Sequence, residues 1–280
     1  MRIARFDDNR VGIVRDDGIH DVTSALDALP SHRHPFPRHD ALIANLQLLK
    51  NAKAGKVVPL EKAKLLSPVA NPGKIMAAPV NYTKHLEEAL ADKGIHHGNL
   101  VSEIHKAGIF LKATSAVVGA GEGVKLVHTD RRNDHEVELA IVIGKKGRNI
   151  AANDAAGHIA GYCIGLDMTI RGTEDRSFRK SPDSYCVLGP WLVTPDEVGD
   201  PGALEIEIAV NGQTRQKANT RDLILGVPAL IEWASSFYTL HPGDVLLTGT
   251  PQGVGPVKPG DVMQATLERI GTMKVNVTAA

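Results

Sequence analysis

The chain has 280 residues, 42% hydrophobic and 23% charged, which is enough to bury one substantial core. Lys plus Arg and Asp plus Glu balance at 32 each, and only 4% of residues are aromatic. That balance argues against nucleic acid or an anionic membrane as partner, so an anionic substrate has to be captured locally.

The first residues, MRIARFDDNR, lack the apolar core of a signal peptide, and no run approaches the roughly 20 apolar residues of a membrane span. A cytoplasmic protein with no membrane partner is expected. RIARFD, VGIV and IHDV, separated by DDNR and the turn from Asp16 to Gly18, predict a meander of short strands. His32, His34 and His39 lie in SHRHPFPRHD, which reads as a loop because its prolines block a regular ligand geometry. Leu42, Ile43, Leu46 and Leu49 recur at helical spacing and predict a helix. SPVANPGK then predicts a linker near residue 70, dividing a small N-terminal domain, 1–70, from the main domain, 71–280.

From Lys74 onward the strand-like runs ELAIVIG, GYCIGLDM, WLVT, LEIEIAVNG, DVLLTGT and MKVNV dominate. Helices are expected only around His85 to Asp92 and Val227 to Tyr238. Regular strand–helix alternation is missing, which argues against a doubly wound parallel sheet and for an α+β fold that is mainly β. Cys163 and Cys186 are far apart without a CxxC, so neither a disulfide framework nor a thiolate zinc site is expected.

DHEVELAIVIG is the most informative segment. Strand side chains alternate, so Glu136 and Glu138 share a face with Cα atoms about 7 Å apart, close enough for their carboxylates to converge on one hard cation. LEIEIAVNGQ supplies an internal control. Glu205 and Glu207 have the same spacing, but their face continues to Ala209 and Asn211 and runs into an Asn-Gly turn, as in an ordinary half-exposed strand. Beyond Glu138 both faces turn apolar: Val137, Leu139, Ile141 and Ile143 on one, Ala140 and Val142 on the other. Carboxylates on a strand covered on both sides need partners or a metal. Asp167 ends the next apolar strand and is a third acid. The alternative to a metal is ion pairing with Arg131, Arg132 or Arg171.

NYTKHLEEAL reads as a helix start with Asn81 or Thr83 as N-cap, placing His85 and Glu88 on one face. A carboxylate there orients an imidazole as a general base; the alternative is a surface helix on which Lys84 pairs with Glu88. Arg176, Arg179 and Lys180 lie close together, suited to holding a carboxylate or stabilising an enolate, or else form a solvated loop. TGTPQGVG lacks the Lys of a P-loop, and reads either as a tight turn or as backbone closely approaching a ligand.

Taken in order, NYTKHLEE, FLKATSAVVGAG, HEVELAIVIGK, AGYCIGLDMTIR, RKSPDSYCVLGPWLV, VNGQTRQ and PGDVLLTGTPQGVG resemble the catalytic domain of the fumarylacetoacetate hydrolase family. The resemblance implies a mixed β-roll, usually a homodimer, with a small N-terminal α+β domain. It implies Mg²⁺ or Mn²⁺ on Glu136, Glu138 and Asp167, and catalytic roles for His85, Glu88 and Lys180. Phe110, Lys112 and Ser115 fall in the family's F-x-K-x-x-S stretch and Thr250 in its TGTP loop; with Arg171 and Gln216 they are the implied substrate-binding residues. The implied activity is hydrolysis of a C–C bond in an acylpyruvate-type 2,4-dioxo acid such as fumarylpyruvate, giving pyruvate and a carboxylic acid. The same enolate chemistry leaves open a decarboxylase or keto–enol isomerase of the 2-hydroxyhepta-2,4-diene-1,7-dioate type in aromatic catabolism. A metal-binding scaffold without turnover is the non-enzymatic alternative. Two departures, Pro79 before Asn81–Tyr82 and Gly172 after Arg171, border the expected pocket.

Overall fold

The computed structural model describes all residues, Met1–Ala280. Its central feature is a 12-stranded mixed sheet. Val137–Ile143 lies at its middle, antiparallel to Ile159–Asp167 on one side and to Val245–Leu247 on the other. The expectation that this strand is covered on both faces holds residue by residue. Val137, Leu139, Ile141 and Ile143 enter the larger apolar core, and Ala140 and Val142 enter a second core on the opposite face. A β-branched run of this kind fits a pleated, doubly buried position.

The N-terminal meander is present as Arg2–Phe6, Arg10–Arg15 and Gly18–Asp21. It continues the same sheet, because Arg2–Phe6 pairs antiparallel with Cys186–Val193. Residues 31–40 form a loop, as expected. The predicted helix over Leu42 to Leu49 is instead 3-10 turns, Ile43–Leu49, interrupted at Asn45, where φ is −131°. The Asn45 side chain donates to the Ala41 carbonyl at 2.8 Å, a local bond of the kind that competes with a regular helix. Ile43 and Leu49 are buried in the second core all the same.

A five-stranded sheet, ordered Gln213–Asn219, Glu205–Val210, Val262–Leu267, Gly271–Ala279 and Val124–Leu126, packs against the larger core. Here Glu205 and Glu207 sit on a half-exposed strand, and Asn211 and Gly212 both take positive φ in the hairpin turn. The two longer helices, Thr83–Ala91 and Val227–Phe237, match the expected ones. Cys163 and Cys186 are buried free thiols. No helix is long and apolar enough to cross a membrane.

Asp40 is 2% exposed and joins the loop after residue 30 to the segment at residue 70. Its carboxylate accepts four backbone N–H bonds, from Leu42, Ile43, Ala70 and Asn71, at 2.9–3.0 Å. Replacing Asp40 with Ala leaves four donors without that acceptor and is expected to cost on the order of 3 kcal/mol in urea unfolding. An unchanged midpoint would show that water replaces the carboxylate at no cost.

Candidate active site

The pairing of the two central strands brings the three acids together. Val137 opposes Leu166 and Glu138 opposes Gly165, while the Asp167 N–H donates to the Glu136 carbonyl. Glu136, Glu138 and Asp167 are each 3% exposed or less, and one carboxylate oxygen from each lies within 4.8 Å of the others. Three buried negative charges at that separation repel strongly and require positive partners.

Several cations and one backbone dipole answer them. Lys180 Nζ donates to Glu136 Oε2 at 2.6 Å and to Asp167 Oδ2 at 2.7 Å. Lys112 Nζ donates to Asp167 Oδ1 at 2.5 Å and also to the Lys180 carbonyl. Arg171 donates to Glu136 Oε1 at 2.8 Å and to Asp134 Oδ2 at 2.8 Å. Glu138 receives only the Gly249 N–H, at 2.5 Å. Burial raises the pKa of Glu136, but Lys180 and Arg171 outweigh it and hold that carboxyl well below the usual range. Glu138 goes the other way: burial first, then the Asp167 charge, pushes it well above.

A hard divalent cation fits this donor set. All three ligating groups are carboxylates, and the one with the fewest hydrogen bonds is also the one whose ionised form most lacks a counter-charge. Glu136, Glu138 and Asp167 would hold Mg²⁺ or Mn²⁺. The ion-pair alternative is also realised in part, since Arg171 binds Glu136 while Arg132 pairs with Asp134 and Arg131 with Glu174.

The helix Thr83–Ala91 carries the His–Glu pair. His85 is 4% exposed and its Nδ1 meets Glu88 Oε2 at 2.9 Å. Glu88 Oε1 accepts from the Gly253 N–H at 2.9 Å, so the carboxylate is held from both sides, and Lys84 does not pair with it. Gly253 has φ of +94°, and a Cβ there would meet the Arg215 carbonyl oxygen at 2.2 Å. The TGTPQGVG loop thus reaches both acidic groups through backbone N–H, at Gly249 and Gly253.

The expected N-cap is corrected. Tyr82 occupies the cap position with no side-chain cap bond. Asn81 faces inward instead, donating to the Thr248 and Leu225 carbonyls and accepting from the Leu225 N–H. Burial at 0% exposure selects these partners over a solvent-facing cap.

One pocket is lined by His85, Glu136, Arg171, Arg176, Arg179 and Lys180, together with Pro79 and residues of the segment from Ile95 to Val101. It offers about 60 Å³ of space between that segment and the acid cluster. The segment is tied down at Asp92, which accepts from Arg132, and at Asn99, which donates to the Gly172 carbonyl. From Asp92 the ion pairs run without a break through Arg132, Asp134 and Arg171 to Glu136.

Among the other expected site residues, the Phe110 ring lies 5.4 Å from Lys180 Nζ. Gln216 is fully engaged within the protein, accepting from the Val137 N–H, meeting His135 Nδ1, and donating to Thr250 Oγ1 and the Pro251 carbonyl. The Thr250 hydroxyl donates in turn to the Val137 carbonyl. Ser115 is exposed in the turn after the Phe110–Lys112 strand.

A family model described as the fumarylacetoacetate (FAA) hydrolase C-terminal domain matches residues 74–278, and the chain belongs to that family. It is 58% identical to the maleylpyruvate hydrolase of Aquipseudomonas alcaligenes, with 99% of each chain covered. It is 35% identical to a mitochondrial oxaloacetate tautomerase of Xenopus laevis, covering 98% of this chain and 89% of the relative. Among solved structures, it is similar to maleylpyruvate hydrolase from Sphingobium sp. SYK-6 in complex with manganese(II) ion and pyruvate, with TM-score 0.82 and 39% identity over the whole of both chains.

Because burial and the Asp167 charge favour the protonated form of Glu138 in the metal-free protein, cation binding is expected to displace a proton. Affinity for Mn²⁺ is expected to rise with pH, with proton release seen when calorimetry is repeated in buffers of different ionisation enthalpy. A pH-independent affinity without proton release would show that Glu138 is already ionised.

Proposed function

We propose that this chain is a Mg²⁺- or Mn²⁺-dependent hydrolase of acylpyruvate-type 2,4-dioxo acids, releasing pyruvate and a carboxylic acid. The observation that carries the reading is that His85, oriented by Glu88, opens onto the same pocket as Glu136 and Lys180. The likeness to maleylpyruvate hydrolases, one of them in complex with manganese and pyruvate, supports the same substrate class and ion.

When bound, the ion would supply Lewis-acid polarisation of the 1-carboxylate and 2-oxo end of the substrate. Glu88 accepts the His85 Nδ1–H and leaves Nε2 as the basic nitrogen. That nitrogen takes a proton from water as the water oxygen adds to C4 of the substrate. Collapse of the adduct breaks the C3–C4 bond and leaves the electron pair on C3 as the pyruvate enolate. His85 returns the proton to C3, so one water is consumed and no other reactant is needed. Lys180, held between Glu136 and Asp167, supplies positive charge to the oxyanion that develops at C4.

The N–H of Gly253 fixes the far oxygen of Glu88, and so the imidazole orientation. In this reading the chain acts as a homodimer, with the exposed Phe178 and Phe237 as apolar surface available to a second copy; sedimentation equilibrium giving the mass of a single 29.9 kDa chain would contradict that assembly.

Proton NMR of acetylpyruvate and of oxaloacetate incubated with the Mn²⁺-loaded protein tests the reaction. Acetate plus pyruvate, lost with excess EDTA, is the expected outcome, and His85→Ala should slow it by about 10²–10⁴-fold while Mn²⁺ binding persists. Oxaloacetate converted between keto and enol forms, or to pyruvate, with acetylpyruvate untouched would move the assignment to tautomerase or decarboxylase chemistry.

A further inference from the structure

The pocket's cations differ in whether the protein already uses them. Arg171 lies between Asp134 and Glu136, and Lys180 between Glu136 and Asp167. Arg179 donates to the Glu174 and Ile170 carbonyls, at 2.8 and 3.1 Å. Arg176 also lines the pocket, half-buried, and its guanidinium makes no hydrogen bond or ion pair with any protein acceptor. Its two neighbouring acids are committed elsewhere. Glu174 forms a bidentate pair with Arg131, at 2.8 and 2.9 Å, and Asp175 accepts from the Ser177 N–H at 2.8 Å.

The guanidinium is nevertheless placed. Its Cζ lies 5.7 Å from the centroid of the Phe110 ring, the same ring that Lys180 Nζ approaches to 5.4 Å. An aromatic face steadies the side chain while leaving its N–H groups free to donate. A half-buried cation with open donors, facing a pocket whose other cations are already hydrogen-bonded within the protein, is suited to a carboxylate brought by the ligand.

We propose that Arg176 is the specificity-determining residue for a terminal carboxylate, so that the preferred substrates are acylpyruvates whose acyl group itself ends in a carboxylate. This rests on the hydrolase reading and narrows it. The 1-carboxylate and 2-oxo group lie towards Glu136, Glu138 and Asp167, and the far carboxylate pairs with Arg176 beside Phe110. The acids released are then dicarboxylates.

The test pairs turnover with binding. For the Mn²⁺-loaded enzyme, kcat/KM is measured on maleylpyruvate and on acetylpyruvate, which lacks the terminal carboxylate. Affinity for maleate, the corresponding dicarboxylate product, is measured by calorimetry. Arg176→Met is expected to reduce the maleylpyruvate-to-acetylpyruvate ratio by about 10–100-fold, mainly through KM, and to weaken maleate by a similar factor; Arg176→Lys should restore part of both. Equal losses on the two substrates, or maleate affinity that is absent in the parent protein or independent of Arg176, would overturn the assignment. If neither substrate is turned over but maleate still binds through Arg176, the hydrolase reading fails and the carboxylate site stands.

Discussion

Three carboxylates forced within 4.8 Å of one another in the protein interior are the constraint on which the site depends. Antiparallel pairing of Val137–Ile143 with Ile159–Asp167 makes the proximity unavoidable, because backbone register sets Asp167 beside Glu136 with Glu138 one step along the same face. Everything around them answers that charge. Lys180 and Lys112 come from outside the two strands, and Arg171 from just beyond the end of one. Two of the three acids are compensated by these groups, whereas Glu138 has a single backbone donor, and burial with the Asp167 charge pushes its pKa well above the usual range.

The loop 248–255 connects this charge cluster to the base. Its backbone donates to Glu138 at Gly249 and to Glu88 at Gly253, and Asn81 fastens it to the start of the helix that carries His85. The ion-pair chain from Asp92 to Glu136 connects the cluster to the segment over the pocket as well. Base, acids and cover are therefore held by one hydrogen-bonded framework.

Much of this was legible from local pattern. The doubly apolar run after Glu138 distinguished a buried carboxylate strand from the half-exposed one at Glu205 and Glu207, and both assignments hold. The resemblance of seven ordered segments to one family pointed to the acids and to the His–Glu pair that the fold brings to one place. What escaped sequence reasoning is long-range. Asp134, Arg132 and Asp92 look like ordinary charges until the sheet brings them into line. Asn81 reaches the Thr248 carbonyl, and the Gly253 N–H reaches the Glu88 carboxylate, each more than 100 residues away. The kink at Asn45 defeated a helical periodicity that the apolar residues satisfy, because a side-chain bond to Ala41 competes locally with the helix.

The acid cluster is an electrostatic burden in the metal-free protein, relieved when a divalent cation binds. A carboxyl whose pKa is raised by folding costs stability once pH exceeds its unfolded value, near 4.3, because the unfolded chain has by then released the proton. The most direct measurement is the unfolding free energy of the metal-free parent protein and of Glu138→Gln at pH 7, each repeated with Mn²⁺. Without metal the variant is expected to be more stable than the parent, by about 1 kcal/mol or more, and Mn²⁺ is expected to stabilise the parent far more than the variant. A metal-free variant less stable than the parent, or equal stabilisation of both by Mn²⁺, would contradict it.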